Sequence, residues 1–128
     1  MTHALLQALI AKYDLRDGHA DDEPFIAEGN RSFLPPGWVP LFQELIGDLI
    51  QWGWDRRVLQ IKEKYGTLRL YISQREDLFR DRINAAMDLS GTVCQDCSGP
   101  GIWLDDEGSM STRCDPCRAR RRAERGER

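Results

Sequence analysis

The sequence predicts an α+β fold, and three observations predict it. Two segments carry apolar residues at helical spacing, one from Leu5 to Tyr13 and one from Leu41 to Trp52. Residues 57–73 place apolar and polar side chains on either side of Tyr65-Gly66 as a two-stranded hairpin would. Two Cys-x-x-Cys pairs, Cys94–Cys97 and Cys114–Cys117, then follow with 16 residues between them. The expected organisation is a lobe over residues 1–91, with helices packed on the hairpin, and a small metal-held module over residues 92–128.

Taken in order, Thr2 suits the N-cap of a first helix whose stripe is Leu5, Leu6, Leu9, Ile10 and Tyr13. Arg16 to Pro36 is rich in Asp, Gly, Asn and Pro and has neither helical nor strand period, so it reads as a long loop pinned by Phe25-Ile26 and Phe33-Leu34. Pro40 opens the core helix, because a proline in the first turn sacrifices no hydrogen bond there. Leu41, Phe42, Leu45, Ile46, Leu49, Ile50 and Trp52 form its apolar face, and Gly53 ends it. If Tyr65-Gly66 is a two-residue turn, Ile61 faces Leu70 and Leu59 faces Ile72, all four on one buried face. The other face gathers Gln60, Lys62, Lys64, Arg69 and Tyr71, with Lys62 opposite Arg69. Ser73 to Glu76 fits a capping box for a third helix that buries Phe79, Ile83, Ala86 and Met87 and stops at Gly91.

Composition narrows the classes. A chain of 128 residues, 41% hydrophobic and 30% charged, is neither collagen-like, low-complexity nor wholly disordered. Gln43, Glu44 and Asp48 interrupt its most apolar stretch well short of the roughly 18 residues a membrane span needs. The start lacks the basic flank and cleavage site of a secretory signal, so the expected address is the cytoplasm, where cysteines serve as ligands more often than as disulfides. The net charge of −3 is uneven: −5 over residues 1–50, +2 over 51–93 and 0 over 94–128, with six arginines against two glutamates from Arg118 to Arg128. A pI near 5.4 excludes a general nucleic-acid coat protein.

The cysteines carry the strongest signal. Two residues between ligands let a tight turn aim both sulfurs at one ion, and four thiolates favour tetrahedral zinc, with an iron–sulfur or redox dithiol as the alternatives. Ile102-Trp103-Leu104 and Met110-Ser111-Thr112 fit strands of a hairpin between the pairs, and Asp115-Pro116 fits the N-cap and first position of a last helix. Arg113 and Arg118 flank the second pair and offset its charge. A knuckle, a hairpin and a ligand-bearing helix start together resemble the treble-clef zinc finger. With Cys94, Cys97, Cys114 and Cys117 all ligating, one Zn2+ is expected as a structural ion. Nucleases of the HNH type need histidines in this module, and the only two here are His3 and His19.

Three stretches together, Gly37-Trp38, Ile61 to Tyr71 (IKEKYGTLRLY), and Cys94-x-x-Cys97-Ser98-Gly99-Pro100-Gly101 with Cys114-x-x-Cys117, resemble small uncharacterised proteins of bacteriophage and prophage genomes. The resemblance spans about residues 37–117. It implies expression in a bacterial cytoplasm and supplies no catalytic residue. Short phage proteins often bind host machinery or nucleic acid, which is an analogy only.

Three functions are therefore expected in descending order. The first is a non-enzymatic protein that binds a protein partner, a bacterial host protein in the phage setting. The second is a DNA- or RNA-binding regulator using Lys62, Lys64 and Arg69 with the helical stripe Arg118, Arg121, Arg122 and Arg125. The third is an enzyme assembled from the acidic clusters Asp21-Asp22-Glu23 and Asp105-Asp106-Glu107. No nucleophile, phosphate-loop or zinc-protease motif supports it. No membrane contact is expected.

Overall fold

The computed structural model describes residues 4–20, 23–106 and 108–126. Its elements are α1 (Ala4–Tyr13), β1 (Arg16–Asp17), a 3-10 turn (Pro36–Trp38), α2 (Val39–Gln51), β2 (Arg57–Lys64), β3 (Thr67–Ile72), α3 (Asp77–Ser90), β4 (Ile102–Asp106), β5 (Ser109–Arg113) and α4 (Asp115–Glu124). The fold is mixed α+β, with a three-stranded sheet in the order β1-β2-β3 and a separate β4-β5 hairpin. Among the described residues, no helix is long and apolar enough to cross a membrane.

The apolar periodicity of α1 and α2 places the core. Leu6, Leu9 and Ile10 of α1 and Leu41, Phe42, Leu45, Ile46 and Leu49 of α2 are buried, together with Trp38, Val58, Ile61, Leu68, Leu70, Phe79 and Ala86. Thr2, the expected cap of α1, lies outside the described residues. Leu5, placed on the α1 stripe from sequence, is exposed, as is Trp52, which falls one residue beyond α2 as its C-cap. Trp54 takes the buried place instead.

The long loop holds more order than its composition suggests. Arg16 and Asp17 pair in parallel with Arg57 and Val58, and Arg16 also bridges Pro24. Phe25, Ala27 and Leu34 are buried, and the Ser32 hydroxyl accepts the Ile61 N–H at 2.9 Å. Strand pairing rescues a polar, aperiodic segment here, and no local pattern announces a two-residue parallel strand.

The hairpin turn is as expected. Tyr65 and Gly66 have φ of +56° and +80°, the pair of left-handed residues that a tight two-residue hairpin requires. Ile61 faces Leu70 and Lys62 faces Arg69. The register slips at Leu59, so Val58 rather than Leu59 pairs with Ile72. This bulge turns buried Val58 into the core and leaves Leu59 half-buried. The capping box does not form: α3 begins at Asp77, with extended Glu76 as N-cap and no side-chain cap bond. Gly91 does end α3, at the ordinary right-handed φ of −71°, and Ile83 and Met87 are only half-buried.

A candidate metal centre and the seam that holds it

The first cysteine pair sits in a knuckle closed by its own backbone. Cys94 N–H donates to Gly99 O at 2.7 Å, Ser98 N–H to Cys94 O at 3.0 Å, and Gly101 N–H to Thr92 O at 2.8 Å. The second pair lies where β5 becomes α4. Cys114, rather than Asp115, is the N-cap, Pro116 stands in the first turn as expected, and Cys117 follows it. Gln95 ties the two pieces together: its N–H donates to Thr112 O at 2.9 Å, and its side-chain oxygen accepts the Thr112 N–H at 3.0 Å. Both residues are buried, so these bonds are shielded from water.

This scaffold brings all four sulfurs within 4.8 Å of one another, with Cys97 Sγ 3.7 Å from Cys114 Sγ. A disulfide needs about 2.05 Å, whereas a tetrahedral ion with metal–sulfur bonds of about 2.3 Å sets its sulfurs ~3.8 Å apart. The cluster thus has the spacing of a four-thiolate metal site. The four thiols do not ionise alike. Burial pushes the Cys94 thiol up, but the backbone N–H groups of Cys114, Cys97 and Asp96 outweigh it and bring the thiol down to about 6. Cys117 is pushed up to about 12, first by its bond to the Cys114 sulfur, then by burial and the other sulfurs. At Cys97 the Gly99 N–H favours the thiolate, but the Cys94 and Cys114 sulfurs prevail and raise it. Crowded sulfurs oppose one another's ionisation, and a divalent cation at their centre removes that opposition.

Around the sulfurs, arginines are placed by specific bonds. Arg120 Nη2 lies 3.0 Å from Cys117 Sγ, so the guanidinium facing the cluster is Arg120 and not the expected Arg113 or Arg118. Arg113 and Arg121 converge instead on Asp96, whose Oδ2 accepts from Arg113 Nε at 2.8 Å and from Arg121 Nε at 2.9 Å. Burial opposes the Asp96 charge, yet Arg121 and Arg113 hold its carboxyl below the usual carboxylate range. Arg118 spans the hairpin, bonding Ser111 Oγ at 2.9 Å, Ser111 O at 3.1 Å and the Ile102 carbonyl.

Within the helical stripe read from the sequence, Arg118 bonds across the hairpin and Arg121 bonds Asp96, and Arg121, Arg122 and Arg125 are all exposed. On the other lobe, Lys62 and Lys64 lie over the rings of Tyr71 and Tyr65 at 5.7 and 5.3 Å, and Arg69 lies beside α3 rather than with the α4 arginines.

The module is docked on the first lobe at two glycines that sequence reasoning did not single out as contacts. A Cβ on Gly37 would stand 2.1 Å from Cys94 O and 2.5 Å from Gln95 C, so only glycine lets the knuckle backbone approach. Gly37 N–H donates to Gln95 O at 2.8 Å, Ser98 Oγ to Gly37 O at 2.7 Å, and Trp38 Nε1 to Val93 O at 2.9 Å. At Gly66 a Cβ would meet Trp103 Nε1 at 2.8 Å. Thr112 Oγ1 donates to Gly66 O and Trp103 Nε1 to Tyr65 O, each at 2.7 Å. Gly37-Trp38, Tyr65-Gly66 and the cysteine knuckle, scattered in the chain, form one seam.

No family model, no curated protein and no solved structure matches this chain.

Proposed function

We propose that this chain is a non-enzymatic, zinc-stabilised binding protein of the phage or prophage kind, built to present a rigid surface to a protein partner in a bacterial cytoplasm. The observation that carries the reading is the four-sulfur cluster, whose members lie within 4.8 Å of one another. Four thiolates complete a tetrahedral Zn2+, leave no position for a reacting water, and so make the ion a structural brace. The ligand-bearing knuckle, the β4-β5 hairpin and the ligand-bearing start of α4 follow one another in the order of a treble clef. When bound, the ion supplies fixed geometry and two positive charges, and no redox or Lewis-acid step is assigned to it.

A partner role is supported by the hairpin surface. Ile102, Trp103 and Leu104 are 52, 44 and 43% exposed on consecutive positions of β4, held rigid by Arg118 and by the Trp103 bond to Tyr65. Ile102 and Leu104 share one face of the strand, and paired exposed apolar side chains on such a strand are a mark of a contact surface. Nucleic-acid binding is the weaker reading, because Arg118 and Arg121 already bond within the module.

Two measurements test this. Elemental analysis of the purified chain is expected to give one zinc per molecule. Affinity capture from a bacterial lysate is expected to recover one stoichiometric protein, released by chelation. Absence of zinc, or recovery of chaperones alone, overturns it.

A further inference from the structure

A groove runs between β3 and α3 on the lobe away from the cysteines. β3 is the outer strand of its sheet, and the chain turns back at residues 73–76 so that α3 lies antiparallel alongside it. The groove has a volume of about 460 Å³, in the range of ligand-holding clefts. All of Leu68 to Ile72 border it, with Leu59 of β2 beside them, so it runs the length of β3 and reaches onto the neighbouring strand. Ile83 and Met87 of α3 form the opposite apolar wall.

The register shows what this edge offers. Lys64 and Thr67 pair across the tight turn, so Lys62–Arg69 and Gln60–Tyr71 are the pairs that exchange backbone bonds. Leu68, Leu70 and Ile72 then turn their N–H and C=O groups away from β2, toward the groove. Leu68 bears out that parity, since its N–H donates to Ser90 Oγ at 2.8 Å. Ser90 thus caps the edge at Leu68, and the edge at Leu70 and Ile72 faces the open part of the groove.

Its charge has one sign. Arg69, Arg75 and Arg80 border the groove, and among the described residues none of its lining side chains is acidic. Arg80 is partly neutralised by Asp77 at 3.0 Å and Asp81 at 3.9 Å. Arg69 is not: its Nε is buried without a hydrogen-bond partner, and the residue opposite it on β2 is Lys62. A buried charged donor left unpaired in a groove wall is a group awaiting an acceptor.

We infer that the β3–α3 groove binds an extended acidic segment of a partner protein, which adds to the sheet as a fourth strand beside β3. The inference rests on the partner-binding reading above and adds to the β4 hairpin a second contact surface, on the first lobe, with its chemistry. The segment's backbone pairs with Leu70 and Ile72, its alternate carboxylates meet Arg69 and Arg75, and its intervening apolar side chains face Ile83 and Met87.

The test uses the zinc-loaded full chain and a fluorescein-labelled peptide alternating Glu with Val. Saturable binding by fluorescence anisotropy is expected, weakening as salt rises, with no binding of the matched Lys-Val peptide. N-methylation of alternate peptide nitrogens, which removes strand pairing but no charge, is expected to weaken binding at least tenfold. The double variant Arg69→Gln, Arg75→Gln, checked for native circular dichroism, is expected to lose at least tenfold. No anisotropy change, equal binding of the N-methylated peptide, or full affinity in the double variant overturns the inference. Lysate capture separates it from the broader reading. A partner recovered equally by the double variant refutes the groove alone, whereas peptide binding without any captured partner refutes the broader reading alone.

Discussion

The two ends of this molecule are held together by different physics. Among the described residues, the first lobe buries twenty mutually packed hydrophobic residues, from Leu6 to Ala86, among them Trp38, Phe25 and Phe42. Among the described residues of the cysteine module the buried ones are Cys94, Gln95, Ser111, Thr112 and Cys117, and all of β4 is exposed. One lobe is stabilised by apolar area removed from water, at about 25 cal/mol per Å². The other has almost no such area and relies on backbone bonds, the Asp96 arginines and a four-sulfur cluster spaced for a metal ion. The contrast teaches that a hairpin and a helix can sit on almost no apolar core where four sulfurs are gathered at metal-site spacing, the setting in which a bound ion can take a core's place.

The largest effect should come from the metal. Chelation, or Cys117→Ser, removes an ion whose binding is worth on the order of 10 kcal/mol. The module should unfold while the helical circular dichroism of α1–α3 persists. Loss of both together would break the comparison. Next, Phe42→Ala, in the fully buried heart of α2, should lower global stability by about 3–5 kcal/mol in denaturant melts. Metal content at low denaturant should not change.

Gly37→Ala probes the seam between the two. Its Cβ would press on the Cys94 and Gln95 backbone, which cannot swing aside, so a loss of about 1–3 kcal/mol is expected, with altered Trp38 fluorescence. An unchanged melting curve would mean that the module does not dock as described. Asp96→Ala leaves the half-buried Arg113 without its carboxylate and should cost about 1–3 kcal/mol, seen as faster zinc release to a chelating dye. The smallest effect is expected for Arg80→Ala. Its exposed pair with Asp77 contributes about 0.5 kcal/mol or less, within the error of most melts.

Much of this was legible in the chain. Helical spacing located α1 and α2, Tyr65-Gly66 located the turn, and the doubled Cys-x-x-Cys located a four-sulfur cluster with its hairpin and helix start. What escaped is non-local. The parallel pairing of Arg16 and Asp17 depends on residues some forty positions away, and nothing in their own sequence marks a strand. The bulge at Leu59 accompanies the full burial of Val58, a tertiary arrangement that alternation alone cannot foresee. Ser73–Glu76 has the residues of a capping box, yet the chain stays extended through Glu76 before α3 begins. The arginine stripe on α4 is correct as helical geometry, but Asp96, placed by the knuckle, takes Arg121 out of it. Likewise no spacing rule marks Gly37 and Gly66 as contacts, because what they touch lies more than thirty residues downstream.

Trp38 stands at the junction of these two physical regimes. Its ring is sunk in the oily interior that packs α2, while its indole nitrogen reaches Val93, two bonds' worth of chain from the first sulfur hook. Any loosening of the knuckle is therefore felt at the threshold of the central helix, and the chain carries a built-in optical gauge of whether its distal end is clasped.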